Sequence, residues 1–116
     1  MPHKEISARE RREKLNNELN RMLPMIIEIG VEKVILIGSM ATGKTHSLSD
    51  INLIIIKKTN KRFIDRLDEF YKILMPKVSI DILVYDPVEF KKMSKSNLFV
   101  QHALEKGQIL YETPKS

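Results

Sequence analysis

Asp50 and Asn52 stand two residues apart, just ahead of the apolar run Leu53-Ile54-Ile55-Ile56. In an extended chain, residues i and i+2 point the same way and lie roughly 6 to 7 Å apart along the strand, so the pair presents two oxygen-bearing side chains on one face. A third acid, Asp81, interrupts the apolar stretch Ile80, Ile82, Leu83, Val84. An ionised carboxylate there is costly unless it is paired or binds a metal; taken alone, Asp81 reads as a buried acid with its partners. If the two strands are neighbours, the three side chains converge at one rim. Oxygen ligands of this kind suit a hard cation such as Mg²⁺. Two such ions about 3.5 to 4 Å apart can stabilise both the attacking and the leaving oxygen of a phosphoryl or nucleotidyl transfer.

Upstream lies a turn of small residues, Gly38-Ser39-Met40-Ala41-Thr42-Gly43, directly after the apolar segment Val34 to Ile37. A glycine lets the backbone approach a phosphate closely, the Ser39 hydroxyl can donate to it, and a helix starting at such a turn aims unpaired N–H groups at an anion. The chemistry therefore points to a phosphate and metal site.

The elements that must position these residues follow from periodicity. Leu15, Leu19, Met22, Ile26 and Ile29 recur at steps of four and three, which predicts a helix over about 7–29 with one buried face. Pro24 falls inside it and predicts a kink or a tight restart, with Gly30 as the stop. Val34 to Ile37 reads as a short buried strand. Asp50 to Lys57 reads as a central strand covered on both faces, polar only where it begins. Phe63, Leu67, Phe70 and Leu74 predict a second amphipathic helix, closed by Pro76, and Val78 to Tyr85 a third strand. A short helix with Phe90 and Met93 inward, another from about Ser96 to Lys106, a stop at Gly107 and a last strand at Ile109 to Tyr111 complete the chain. The 116 residues predict one domain of the α/β class, a small mixed sheet with flanking helices.

Composition narrows the chemistry further. With no cysteine, a disulfide scaffold and a thiolate zinc site are excluded. Met1 to Lys14 is charged and lacks the apolar core of a signal peptide, and no apolar run approaches a membrane span, so a cytoplasmic protein is expected. The formal net charge of +5 suits an anionic partner such as nucleotide, RNA or an acidic protein surface. The charges are mixed in sign along most of the chain, however, which describes a solvated surface first. Arg9, Arg11, Arg12 and Lys14 alternate with Glu10 and Glu13, a pattern for ion pairs along a helix. Lys57, Lys58, Lys61 and Arg62 are denser but lack the interleaved aromatics that single-stranded RNA needs, and Phe63 and Phe70 read as core. Nucleic acid is allowed but not indicated. His3 and His102 have no partners at metal spacing, and His46 reads as an exposed loop histidine beside the candidate site.

The combined motif resembles the signature of the DNA polymerase β superfamily of nucleotidyltransferases in its minimal single-domain form. That pattern is G-S-x-A-R-G, five residues, S-D-x-D and an apolar strand, with a third Asp on a later strand. Gly38, Ser39, Ala41, Gly43, Ser49 and Asp50 match in register, and Asp81 occupies the third acidic place. The ending is similar as well: Asp86-Pro87-Val88-Glu89-Phe90 leads to a helix and to Gly107-Gln108-Ile109-Leu110-Tyr111. The resemblance implies a polymerase β-like fold over nearly the whole chain. It implies catalytic, metal-holding roles for Asp50, Asn52 and Asp81, with nucleotide contacts from Gly38, Ser39, Thr42, Gly43, Lys44 and Ser49. Two departures stand out. Thr42 replaces the pattern's Arg, with Lys44 as a candidate substitute, and Asn52 replaces the second metal carboxylate. An amide oxygen can still ligate Mg²⁺, but it brings no negative charge; a weakened second metal and slower chemistry are expected.

By the same resemblance, this is a transferase moving NMP, AMP if the donor is ATP, to a partner protein, as antitoxin to an all-helical HEPN toxin. Two other readings compete with it. A non-catalytic antitoxin or regulatory module would neutralise its partner by contact, its metal site decayed at Asn52. A P-loop protein would use Gly38 to Thr45 as G-x-x-x-x-G-K-[ST], but that loop must open a helix of several turns, and only four residues separate Thr45 from Asp50. An exposed apolar patch on the N-terminal helix would mark a homo-oligomer or a helical partner.

Overall fold

The computed structural model describes residues 7–114. His3, read from the sequence as having no partners at metal spacing, lies outside them. Helix α1 (Ala8–Glu28) starts where the Ser7 hydroxyl accepts from the Glu10 N–H at 3.1 Å. The apolar stripe of α1 is buried as its spacing requires, with Leu15, Leu19, Met22 and Ile26 at most 6% exposed. The expected restart at Pro24 does not occur: α1 runs through it as one helix. The physical reason is placement. Pro24 and Asn20, whose carbonyl loses its i+4 partner, both sit on the exposed side, where water can take the freed acceptor.

Strand β1 (Lys33–Ile37) runs into a single helical turn, α2 (Ser39–Thr42), and then a loop to β2 (Ile51–Ile56). Helix α3 (Phe63–Leu74) ends on Met75 in the left-handed conformation, with Pro76 following, and leads to β3 (Ile80–Tyr85). Helix α4 (Pro87–Ser96) opens on a reciprocal capping box between Asp86 and Glu89. Asn97 then serves two helices, since its N–H closes α4 on the Met93 carbonyl and its side chain caps α5 (Leu98–Lys106) at Val100. The last strand is β4 (Gln108–Glu112).

The four strands form one sheet in the order β3-β2-β1-β4. β1 pairs antiparallel with β2 and with β4, whereas β2 and β3 are parallel. This is the mixed sheet the sequence predicts, with β2 central as its two-sided apolar pattern requires. Alternation along the strands separates two cores. Val34, Leu36, Leu53, Ile55, Ile82 and Val84 meet α1 and α3, and Ile35, Ile54, Ile56 and Tyr85 meet Phe90 of α4 with Val100 and Ala103 of α5.

One local expectation is corrected. Phe63 is 38% exposed at the rim, its ring 5.6 Å from that of Tyr85, instead of lying in the core. The inward place is taken by Arg66, 8% exposed, because its Nε donates to the Lys61 carbonyl and its Nη1 to the Val84 carbonyl and the Glu89 carboxylate. Gly107 also does more than stop a helix: a Cβ there would run into the Ala103 carbonyl and come within 2.9 Å of Ile35 Cγ2, so its smallness lets α5 return close against β1.

Among the described residues no helix is long and apolar enough to cross a membrane. None of the large exposed hydrophobic side chains described lies on α1; its apolar stripe is used inside the fold.

Candidate active site

The parallel pairing of β2 and β3 places Asn52 directly beside Asp81 in register, about 4.8 Å apart between backbones. On the other side Asn52 pairs with Ile37, the last residue of β1. Asp50, two residues before Asn52, joins it through a hydrogen bond of 3.0 Å from the Asn52 amide to a carboxylate oxygen. All three therefore belong to the face that α4 and α5 cover, at the end of the sheet where that cover stops. Asp81 is exposed, so the reading of it as a buried, internally satisfied acid is corrected. β3 is an edge strand, and Asp81 opens onto a cavity there.

Gly38 forms the floor beneath Asn52. Its φ of 77° and ψ of −158° belong to a region that L side chains avoid, and a Cβ would lie 3.0 Å from the Asn52 amide nitrogen. The helix expected to open at this turn is one turn long, ending at Gly43 in the left-handed conformation. Ser39 and Ser49 are turned to each other, with the Ser39 hydroxyl donating to Ser49 Oγ at 2.8 Å, and the buried Ser49 Oγ also accepts from the His46 N–H at 2.8 Å. They brace the loop. Gly43 caps α2 and offers its carbonyl to Arg12, while Arg11 donates to the Ser49 carbonyl at 2.7 Å. Arg11 and Arg12, read from sequence as a solvated face, instead tie α1 to the signature loop. His46 is exposed, its Nδ1 accepting from the Leu48 N–H. Lys44 is exposed as well.

This geometry removes the P-loop reading. A single turn replaces the long helix after the glycine-rich loop, and β1 and β2 are antiparallel neighbours where a P-loop fold needs a parallel crossover. The basic stretch 57–62 is occupied locally: Lys57 and Lys61 reach Glu69 and Arg62 reaches Asp65.

Gly38, Thr42, Asn52 and Asp81 line a cavity of about 540 Å³, while Ser39, Gly43, Lys44, Ser49 and Asp50 lie outside its wall. Its remaining sides come from residues the sequence reading left aside. Tyr71 of α3 is one, its hydroxyl donating to the Ile80 carbonyl at 2.8 Å. Burial pushes that phenol above its ordinary pKa, and the neighbouring Asp81 charge adds to the effect. Phe99, His102 and Lys106 of α5 form another wall. Their spacing of three and four residues marks one helix stripe, a signal present in the sequence but without a target until the cavity is seen.

Among the described residues no three His, Cys, Asp or Glu side chains cluster to hold a metal. The donor set is two carboxylates and an amide. It fits one hard cation held through oxygen, since Asp50, Asn52 and Asp81 share a face; a second cation lacks the third carboxylate charge.

The sequence matches the family described as polymerase beta, nucleotidyltransferase, over residues 12–116. No curated protein sequence matches it significantly. The fold is similar to the crystal structure of a Sulfolobus solfataricus protein described as a nucleotidyltransferase. That match has a TM-score of 0.67 at 17% identity and covers 99% of this chain and 94% of that one. A weaker similarity, with a TM-score of 0.48 at 21% identity over 88% of this chain and 73% of the other, is to a toxin-antitoxin crystal structure with AMP-PNP. With the family match spanning the whole sheet and both of its helical layers, this chain belongs to the polymerase beta nucleotidyltransferase family.

Proposed function

We propose that this domain binds a nucleoside triphosphate, ATP foremost, together with Mg²⁺, and transfers its NMP to a hydroxyl on a partner protein, releasing pyrophosphate. The observation that carries the reading is the in-register pair Asn52 and Asp81 beside Asp50, facing an open cavity floored by Gly38. Asp50, Asn52 and Asp81 would hold the metal, which would neutralise phosphate charge and polarise the reacting phosphoryl group. Gly38 lets the backbone approach the phosphates where a side chain would collide with Asn52. Asp81, exposed on the cavity wall, is placed to accept the proton of the attacking hydroxyl. The partner follows from the resemblance of this short chain to minimal nucleotidyltransferases: a helical HEPN-type toxin, neutralised in the cytoplasm by a chain acting as its antitoxin.

A second reading, a contact-only antitoxin, is favoured by one observation. The Asn52 amide donates into Asp50, so a neutral donor stands where a metal carboxylate would be. The two readings separate on transfer of label from α-labelled ATP with Mg²⁺ to the co-encoded neighbour protein, for this chain beside Asn52→Asp. Label moved by both forms supports an enzyme that tolerates an amide ligand. Transfer by the Asp form alone assigns the loss to Asn52. No transfer and no nucleotide binding by either form sinks the catalytic reading and leaves the contact module.

A further inference from the structure

A bound triphosphate brings several negative charges into a cavity whose wall already carries the Asp81 carboxylate. One cation does not balance that total, and buried or half-buried anions are stable only with opposite charge or donors close by. The residues nearest in sequence to the loop do not supply it: Lys44, exposed as Lys106 and His102 also are, lies off the cavity wall, and the Arg11 and Arg12 guanidinium groups donate to loop carbonyls. Among the described residues, Lys106 is the one lysine or arginine on that wall. It enters no ion pair among the described residues, in contrast to Lys57, Lys61 and Arg62. His102 lies one helical turn before it on the same stripe of α5 and also lines the cavity. Side chains at i and i+4 stand about 5 to 6 Å apart at Cβ, a separation that one phosphate can span.

Resting on the nucleotide reading above, we infer that Lys106, assisted by His102, is the phosphate-binding cation of this cavity. The site is thus closed from two directions, with the β2–β3 rim holding the metal and α5 holding the phosphate charge. A plainer role exists for Lys106, because a cation in the last turn of a helix is favoured by the backbone dipole. That role affects folding and leaves ligand affinity alone.

The test is calorimetric titration of ATP and of inorganic pyrophosphate, each with Mg²⁺, into the full chain and into Lys106→Ala, Lys106→Arg and His102→Ala, with thermal melts of each. Losing a charge-assisted contact should weaken both ligands about tenfold or more in Lys106→Ala, with recovery in Lys106→Arg, a smaller loss in His102→Ala and unchanged melting. If the parent chain binds ATP and Lys106→Ala binds it equally well, the inference is overturned and the nucleotide reading survives. If Lys106→Arg is as weak as Lys106→Ala, charge is not the operative property and the inference again falls. A parent chain that binds neither ligand overturns the nucleotide reading and this inference with it.

Discussion

Glu18, on the helix that covers one face of the sheet, and Asp81, on the opposite face, show two uses of a carboxylate. Glu18 is 6% exposed and fully partnered. Arg21 donates to both of its oxygens, at 2.6 and 3.0 Å, and the Lys77 N–H donates to it as well, so α1 is clamped to the turn between α3 and β3. The Arg21 hydrogen bonds dominate the opposing desolvation and hold the Glu18 carboxyl down at about 2. Asp81 is exposed and lines a cavity. An acid that builds the fold has spent its lone pairs on the protein; one that serves a ligand keeps them available. Substitutions at the two positions should therefore separate stability from function.

The largest effect is expected at the open acid. Asp81→Ala should lower label transfer about a hundredfold while urea denaturation shifts by no more than about 0.5 kcal/mol; a comparable loss of stability would show Asp81 to be structural and erase the contrast. Glu18→Ala should do the reverse, costing about 2 kcal/mol in the same urea experiment because the Lys77 N–H is left without its acceptor. Acid sharpens this point. Since folding depresses the Glu18 pKa, its contribution is present above the unfolded value near 4.5 and is lost as the pH falls toward about 2. Melting curves over that window should fall more steeply for the parent chain than for Glu18→Gln, and parallel curves would contradict the clamp. Asn52→Asp should tighten Mg²⁺ by about tenfold, read by titration, because it adds ligand charge at an exposed rim; an unchanged affinity would place the metal elsewhere. Smallest of all, Arg11→Ala should cost about 1 kcal/mol by releasing the Ser49 carbonyl. Neutrality there would mean that the signature loop holds its shape through the Ser39 and Ser49 hydroxyls alone.

Much of the architecture was legible because burial leaves a period in the chain. The stripe of α1, the two-sided apolar run of β2 and the Asp86-Pro87 start of α4 each carry a local physical signature, and the described elements begin and end within a few residues of those signals. The errors share a cause. At Pro24 and Phe63 residue type alone misleads, because the outcome at each is set by which side of its helix faces water. Arg66 could be buried only because carbonyls from residues 61 and 84 and the Glu89 side chain meet its guanidinium, partners no local window contains.

Gly38, Ser39, Ser49, Asp50 and Asn52, and the family to which they point, can be read from the linear chain, because those residues act through spacing along one turn and one strand. Folding in three dimensions is what makes Ser39 and Ser49 brace each other, opens Asp81 to solvent beside Asn52, and brings Phe99, His102 and Lys106 to the far wall of the cavity. Those facts depend on strand order and on where α5 returns across the sheet. Both are set by packing between segments dozens of residues apart, which local periodicity does not encode.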